Sequence, residues 1–219
     1  MSAVLGGKSA ARLATLGRGF AQPVHAAQQA FRALLEATSR PGRIQALPEP
    51  VLAGIEPPGL ARGMTALLLT LLDAETSLWV EPGLAGADCL NYLRFHTGVR
   101  TLADAGDAAF AVWPADRVQP ATWSTLNAGT DEVPQSGATL LIEVPSLQGQ
   151  DTQPAFTRLR LRGPGIESTR ALVVGGLDAP FWRARAAMGA DYPRGIDLIL
   201  CCGDTLAAIP RTTRITVEG

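Results

Sequence analysis

Helical spacing of apolar residues marks several stretches of the chain. Across residues 22–39, apolar side chains recur every three or four positions, as at Val24, Ala27 and Phe31, and Arg40-Pro41-Gly42 ends the pattern. The stretch 64–73 is apolar almost all round, which is typical of a helix buried between layers. The pattern predicts helices over residues 22–39, 64–73, 87–95, 120–126 and 180–188.

Short apolar runs between these helices predict strands. The run 156–162 alternates between leucines and arginines, which is the period of a half-exposed strand. Its polar face carries Arg158, Arg160 and Arg162, which we interpret as a solvated strand face. The predicted strands cover residues 76–80, 110–113, 139–144, 156–162, 196–200 and 206–209.

Connection lengths indicate how these strands pair. The strands 139–144 and 156–162 are joined through residues 148–154, so we expect them to pair antiparallel. The strands 196–200 and 206–209 are so close in the chain that they predict a hairpin, with Pro210 at a strand end.

The first twenty residues differ from the rest of the chain. They lack a continuous apolar core and an acidic residue, and they are rich in glycine, alanine and serine. We interpret residues 1–20 as a disordered arm, although a transit peptide has the same composition. The mixed order of elements in residues 21–219 indicates one α/β domain, a mixed sheet flanked by helices.

Composition narrows the range of partners. The net charge is -1, so no long-range positive field attracts nucleic acid or an anionic membrane. The 47% apolar and 18% charged residues are typical of a globular chain, and no apolar run is long enough to span a bilayer. Three cysteines, two of them adjacent, give no disulfide framework, which favours the cytoplasm.

The stock of reactive side chains is small. Lys8 is the single lysine, and a Schiff base needs a lysine amine positioned in the folded core. Two histidines and three cysteines without a C-x-x-C spacing argue against a metal site. We interpret Cys201 and Cys202 as core residues on opposite faces of a strand. We therefore expect no catalytic residue, cofactor or metal, although acidic residues leave carboxylate chemistry open.

Arg94 and His96 form the first candidate contact for an anion or a partner. They end a predicted helix just before Gly98, where the helix dipole favours cations and a glycine supplies the left-handed residue. That structural interpretation stands beside the functional one.

The second candidate group is Arg194, Asp197, Arg211 and Thr212. Arg194 precedes the first strand of the predicted hairpin, and Arg211 follows the second. Because the two strands run antiparallel, both arginines lie at the open end of the hairpin, opposite its turn. They could together clamp an anion or a partner's carboxylate, or one of them could form an internal salt bridge to Asp197.

The order of several short motifs resembles the PhnH family, the H subunit of the carbon–phosphorus lyase core complex. Matches cover roughly residues 20–217. The motifs are Ala30-Phe31-Arg32-Ala33-Leu34-Leu35, Ser39-Arg40-Pro41-Gly42, Leu93-Arg94-Phe95-His96-Thr97, Gly137-Ala138-Thr139-Leu140, Gly163-Pro164-Gly165-Ile166, Pro193-Arg194-Gly195-Ile196-Asp197-Leu198-Ile199-Leu200 and Ile209-Pro210-Arg211-Thr212-Thr213. The chain departs from the family mainly in its long arm before Ala21.

This resemblance implies a fold like that of pyridoxal-phosphate-dependent transferases, stripped of the cofactor-binding residues. It implies a homodimer when the protein is alone, and a complex with the G, I and J subunits in the cell. With the G, I and L proteins, the family supports transfer of ribose triphosphate from ATP to an alkylphosphonate. No catalytic residue comes with the resemblance.

Three functions therefore stand for testing. The first is a non-catalytic complex subunit, with Trp79, Trp113, Trp123 and Trp182 as residues to check at interfaces, though each suits a core. The second is an independent transferase or hydrolase that holds phosphate with arginines. The third is a module that binds phosphonate or nucleotide without reacting.

Overall fold

A computed structural model describes residues 17–149 and 156–218 of the chain. Most of the arm expected over residues 1–20 lies outside them. Residues 17–20 contact the body of the protein: the Tyr92 hydroxyl donates to the Arg18 carbonyl at 2.9 Å, and Arg18 forms an ion pair with Glu56. Within the described ranges, no helix has both the length and the apolar character needed to cross a membrane.

The described residues form six α-helices, of which five correspond to predicted helices and one, the short helix over Glu49–Leu52, was not predicted. They are α1 (Pro23–Ser39), α2 (Glu49–Leu52), α3 (Arg62–Leu71), α4 (Ala87–Thr97), α5 (Thr122–Thr125) and α6 (Ala179–Ala187). The predicted long helix 22–39 is thus confirmed as α1, while 120–126 shrinks to the single turn of α5. Helix α4 ends at Gly98, whose φ of +76° is the left-handed conformation that glycine adopts freely.

Eleven strands lie in the described part of the chain and form two sheets. They are β1 (Gln45–Ala46), β2 (Ser77–Val80), β3 (Arg100–Thr101), β4 (Phe110–Pro114), β5 (Thr139–Glu143), β6 (Leu147–Gln148), β7 (Phe156–Arg162), β8 (Arg170–Gly175), β9 (Asp197–Cys202), β10 (Thr205–Ile209) and β11 (Arg214–Glu218). The larger sheet has the order β1-β10-β9-β5-β4-β2-β3, and the smaller one has the order β11-β7-β8-β6.

The larger sheet is mixed. Strands β3, β2, β4, β5 and β9 run parallel. Strand β10 pairs antiparallel with β9, and β1 pairs antiparallel with β10. The predicted hairpin is confirmed, because β9 pairs with β10 across the Gly203-Asp204 turn. Pro210 follows the last residue of β10, as expected of a residue that cannot donate to the ladder.

Both faces of the larger sheet are buried. Leu141 of β5 and Ile199 of β9 face helices α1 to α4, whereas their neighbours Leu140 and Leu198 face a second core. That second core contains residues of α6 and of the smaller sheet. The protein therefore has three layers, and the buried run of β5 lacks a polar face because it has core on both sides.

Cysteines and tryptophans lie as the sequence suggested. Cys201 is buried in the helical-side core, and Cys202 packs against the other core, so the adjacent pair does point to opposite faces. Burial raises the pKa of the Cys89 thiol to about 11. Three tryptophans, Trp113, Trp123 and Trp182, are buried, and Trp79 is partly buried against the same core as they are.

The expected pairing of 139–144 with 156–162 is wrong. β5 pairs with β4 and β9 in the larger sheet, whereas β7 pairs with β8 and β11 in the smaller one. The physical reason lies in burial: β5 has two buried faces, but β7 has an outer face of arginines and needs a sheet that is exposed on one side. Five strands were not predicted: β1, β3, β6, β8 and β11.

Candidate functional site

Arg211 and Asp197 form a structural clamp at the amino edge of the parallel strands. Asp197 begins β9, and Arg211 follows the end of β10. The Arg211 backbone N–H donates to Asp197 Oδ1 at 2.7 Å, and its Nη2 donates to Oδ2 at 2.7 Å. The Arg211 Nη1 donates to the carbonyl oxygen of Pro134. The side chain is only 14% exposed, so the internal salt bridge that the sequence left open is the arrangement found.

Arg194 occupies a different position from Arg211. Its guanidinium lies 3.4 Å from Asp131 and 3.6 Å from Asp191, and 45% of the side chain is exposed. Arg194 and Arg211 flank the same end of the hairpin, but they do not form a joint clamp, because Arg211 directs its donors to Asp197 and Pro134. Thr212 is exposed beside them.

A buried arginine that sequence reasoning missed lies behind this clamp. Arg185 of α6 is 2% exposed, donates from Nη2 to the Pro210 carbonyl at 3.0 Å and lies over the Trp123 ring. Burial lowers its pKa to about 10; attraction to Asp197 raises the pKa, and repulsion from Arg211 lowers it further. Arg185 is one polar residue of the predicted helix 180–188, and no pattern there distinguishes it from a solvent-exposed arginine.

Three cavities meet around the clamp. A cleft of about 420 Å³ is lined by Thr139, Tyr192, Asp197, Arg211 and Thr212. A larger cleft of about 760 Å³ shares Tyr192, Arg211 and Thr212 with it. A third, apolar cavity of about 250 Å³ reaches under α1 and shares Thr139 and Asp197 with the first. The candidate residues Asp197, Arg211 and Thr212 thus border the concave part of this edge.

Arg94 and His96 belong to another part of the molecule. Arg94 donates to the Leu90 carbonyl and to Asn91 Oδ1, both within α4, and His96 Nε2 lies 3.3 Å from the Gly17 carbonyl oxygen. Among the described residues, no hydrogen bond or ion pair joins them to the Arg211 clamp. Their positions at the end of α4 fit the structural interpretation, in which cations complement the helix dipole.

The opposite, carboxyl edge of the parallel strands is where open α/β sheets commonly bind ligands. Glu143 ends β5 there, beside Cys201 of β9. Burial raises the pKa of the Glu143 carboxyl above its ordinary value, and the described residues offer it no hydrogen bond or ion pair. Nowhere in the described ranges do three or more His, Cys, Asp or Glu side chains gather as metal ligands would.

Replacing Glu143 with glutamine should stabilise the protein at neutral pH. The folded state of the native chain holds the Glu143 proton to a higher pH than the unfolded state, so stability is lost as the pH rises through the folded pKa. Glutamine does not ionise and escapes this loss. Urea unfolding at pH 7 should therefore give a higher free energy of unfolding for Glu143→Gln than for the native chain. This difference should shrink near pH 4. An equal gain at both pH values would contradict the cause given.

Comparison with known proteins supplies the family. The family model described as "Bacterial phosphonate metabolism protein (PhnH)" matches residues 18–216. The chain belongs to the PhnH family. One relative, the alpha-D-ribose 1-methylphosphonate 5-triphosphate synthase subunit PhnH of Rhizobium meliloti, is 34% identical over 91% of this chain and 94% of its own length. Another, named as a C-P lyase subunit protein, HtxG, of Stutzerimonas stutzeri, is 34% identical over 88% of this chain and 87% of its own.

Motifs that resemble the PhnH family are far apart in the sequence but pack together in the fold. A Cβ on Gly165 would overlap the carbonyl oxygen of Ser39, so the motifs around these two residues are in backbone contact. Similarly, a Cβ on Gly137 would lie 2.5 Å from the carbonyl oxygen of Gly195. In this PhnH-family chain, four of the motifs therefore meet at two close backbone contacts, one of them beside the Arg211 clamp.

Proposed function

We propose that the chain is a subunit of a carbon–phosphorus lyase core complex in phosphonate catabolism and does no covalent chemistry alone. In that complex it supports the transfer of ribose triphosphate from ATP to an alkylphosphonate. Its relatives are named as subunits of a ribose methylphosphonate triphosphate synthase and of C-P lyase, and they match it over nearly their whole length. The alternatives are a phosphonate- or nucleotide-binding module and a stand-alone transferase.

The partners we propose are the G, I and J subunits, together with the L protein, and a second copy of the chain when it is alone. The free thiols of Cys89, Cys201 and Cys202 suit a cytoplasmic complex. The seven-stranded mixed sheet with helices on one face supports a relationship to pyridoxal-phosphate-dependent transferases.

The observation that carries the subunit role is an exposed apolar stripe on α1. Val24, Phe31 and Leu35 are 68%, 51% and 55% exposed. They are spaced by seven and four residues, so they follow one line along the helix. The buried face of α1 is a different one, formed by Ala26, Ala30, Leu34 and Ala37. A helix that exposes large apolar side chains beside its buried face is typical of a protein–protein contact.

The stripe can be tested by co-expressing the chain with the G, I and J subunits and recovering the complex through a tag on this chain. The double variant Phe31→Asp with Leu35→Asp should recover less of the other subunits, because two apolar side chains become charged. We expect its affinity for them to fall by roughly 30-fold or more. His25→Asp with Gln29→Asp has the same spacing on the other exposed side of α1 and is the matched control, expected to bind normally.

Different results would contradict different parts of the proposal. If the native chain recovers none of the other subunits, the subunit role is wrong. If the stripe variant assembles as well as the control, the surface assignment is wrong. If the stripe variant still recovers the other subunits, but light scattering of the variant alone shows a monomer where the native chain is a dimer, the stripe is a contact between copies of this chain instead.

A further inference from the structure

The larger of the clefts at the amino edge has a lining that the subunit role does not explain. We call it the β7–β11 cleft, after the two strands that form one wall. Its volume of about 760 Å³ falls within the usual range for small-molecule sites. Its lining includes Arg162, Pro164, Tyr192, Thr212, Arg214 and Thr216. Of the described residues that line it, none is an aspartate or a glutamate.

Two arginines face each other in this wall. The register of the antiparallel pair places Arg162 directly opposite Arg214, and their neighbours Leu161 and Ile215 point into the core. Both guanidinium groups therefore lie on the outer face of the smaller sheet. Both side chains are exposed. Like charges directly opposite each other on paired strands are mildly destabilising, so an anion bound between them would relieve this repulsion.

Elsewhere on the same face, the arginines of β7 have an acidic partner on β11. Arg158 and Arg160 lie on the same face of β7, and both form ion pairs with Glu218 of β11. Among the ion pairs of the described residues, neither Arg162 nor Arg214 has an acidic partner. The third arginine of the cleft, Arg211, is neutralised by Asp197. Arg158 and Arg160 thus share one carboxylate, whereas Arg162 and Arg214, at the end of the ladder that opens into the cleft, have none among the described residues.

The chemistry of the lining indicates which anion fits. Guanidinium groups match the oxygens of phosphate and phosphonate groups with two parallel hydrogen bonds each. The hydroxyls of Thr212 and Thr216 add neutral donors along the same cleft. The concave shape favours a small molecule over the acidic surface of a partner protein, which would meet the two arginines more readily on an open face.

We propose that the β7–β11 cleft binds a phosphorus oxyanion, a phosphate or phosphonate group of a small molecule, between Arg162 and Arg214. The cleft is much larger than one such group, so it has room for a polyphosphate or for the organic part of the ligand. This site is separate from the α1 stripe, and it does not depend on assembly with other subunits.

Titration calorimetry of the isolated full chain at low ionic strength tests the proposal, with tripolyphosphate and methylphosphonate as separate probes. The native chain should bind at least one of them. Arg162→Gln with Arg214→Gln should weaken binding by roughly 30-fold or more, because charge-assisted hydrogen bonds are lost. Arg158→Gln with Arg160→Gln removes the same charge from the same sheet face outside the cleft and should change the affinity by less than about 3-fold.

A second measurement keeps the test independent of folding defects. In phosphate-free buffer, Arg162→Gln with Arg214→Gln should melt no lower than the native chain, since it relieves repulsion. The bound probe should raise the melting temperature of the native chain and not that of the variant. No binding of either probe by the native chain would overturn the proposal, as would an equal loss in both double variants. If the native chain binds an acidic peptide but neither phosphorus probe, the two arginines contact a partner protein instead.

Discussion

Replacing Arg211 with methionine should lower the free energy of unfolding by about 3 kcal/mol. The substitution removes the guanidinium hydrogen bonds to Asp197 and the one to the Pro134 carbonyl, and it leaves a half-buried carboxylate without its cation. These contacts hold together the start of β9, the end of β10 and the turn at Pro134–Ser136. Urea unfolding at pH 7, followed by circular dichroism, measures the loss.

Arg194→Met is the matched control for Arg211. Arg194 flanks the same hairpin end, but its ion pairs are long and exposed, so its removal should cost less than about 0.5 kcal/mol. Equal stability of the two variants would show that the Arg211 clamp contributes little to the fold. The residue would then be available as a ligand contact, which the geometry argues against.

Replacing Gly165 with alanine should cost about 3 kcal/mol. Gly165 has a φ of +80°, and an added Cβ would overlap the backbone carbonyl oxygen of Ser39 at the end of α1. Backbone cannot rotate away as a side chain can, so the turn between β7 and β8 must move from α1. Thermal or urea unfolding of the variant provides the measurement.

Gly203→Ala separates backbone strain from the steric overlap. Gly203 also has a positive φ, +59°, in the β9–β10 turn, but a Cβ there would meet no atom within 4 Å. Its replacement should therefore cost only about 1 kcal/mol, the usual penalty for a left-handed conformation. If both variants lost the same stability, the close contact between the β7–β8 turn and α1 would be absent in solution.

Local patterns in the sequence predicted the elements whose neighbours are close in the chain. The period of apolar residues identified α1, and the short connection between β9 and β10 identified their hairpin. The pairing of β5 failed because its partners, β4 and β9, are determined by burial on both faces and not by chain proximity. Residues 214–218 alternate between polar and apolar side chains, which is the period of β11.

For the site residues too, contacts between neighbours in the chain were predictable and long-range contacts were not. The association of Arg211 with Asp197 was anticipated as one of two options, because the hairpin brings them together. The opposition of Arg162 and Arg214 was not, since it depends on the register between strands some fifty residues apart. Arg162 was interpreted as one of three solvated arginines, and only the pairing with β11 distinguishes it from Arg158 and Arg160, which share Glu218.

The outer strands of the larger sheet constrain how this protein can associate. Each of them, β1 at one side and β3 at the other, is only two residues long. An incoming chain would find almost no free backbone donors and acceptors to continue the ladder, so addition of a foreign strand is disfavoured there. The same shortness protects the sheet against edge-to-edge aggregation. Association at these two edges therefore has to use side-chain contacts rather than ladder hydrogen bonds.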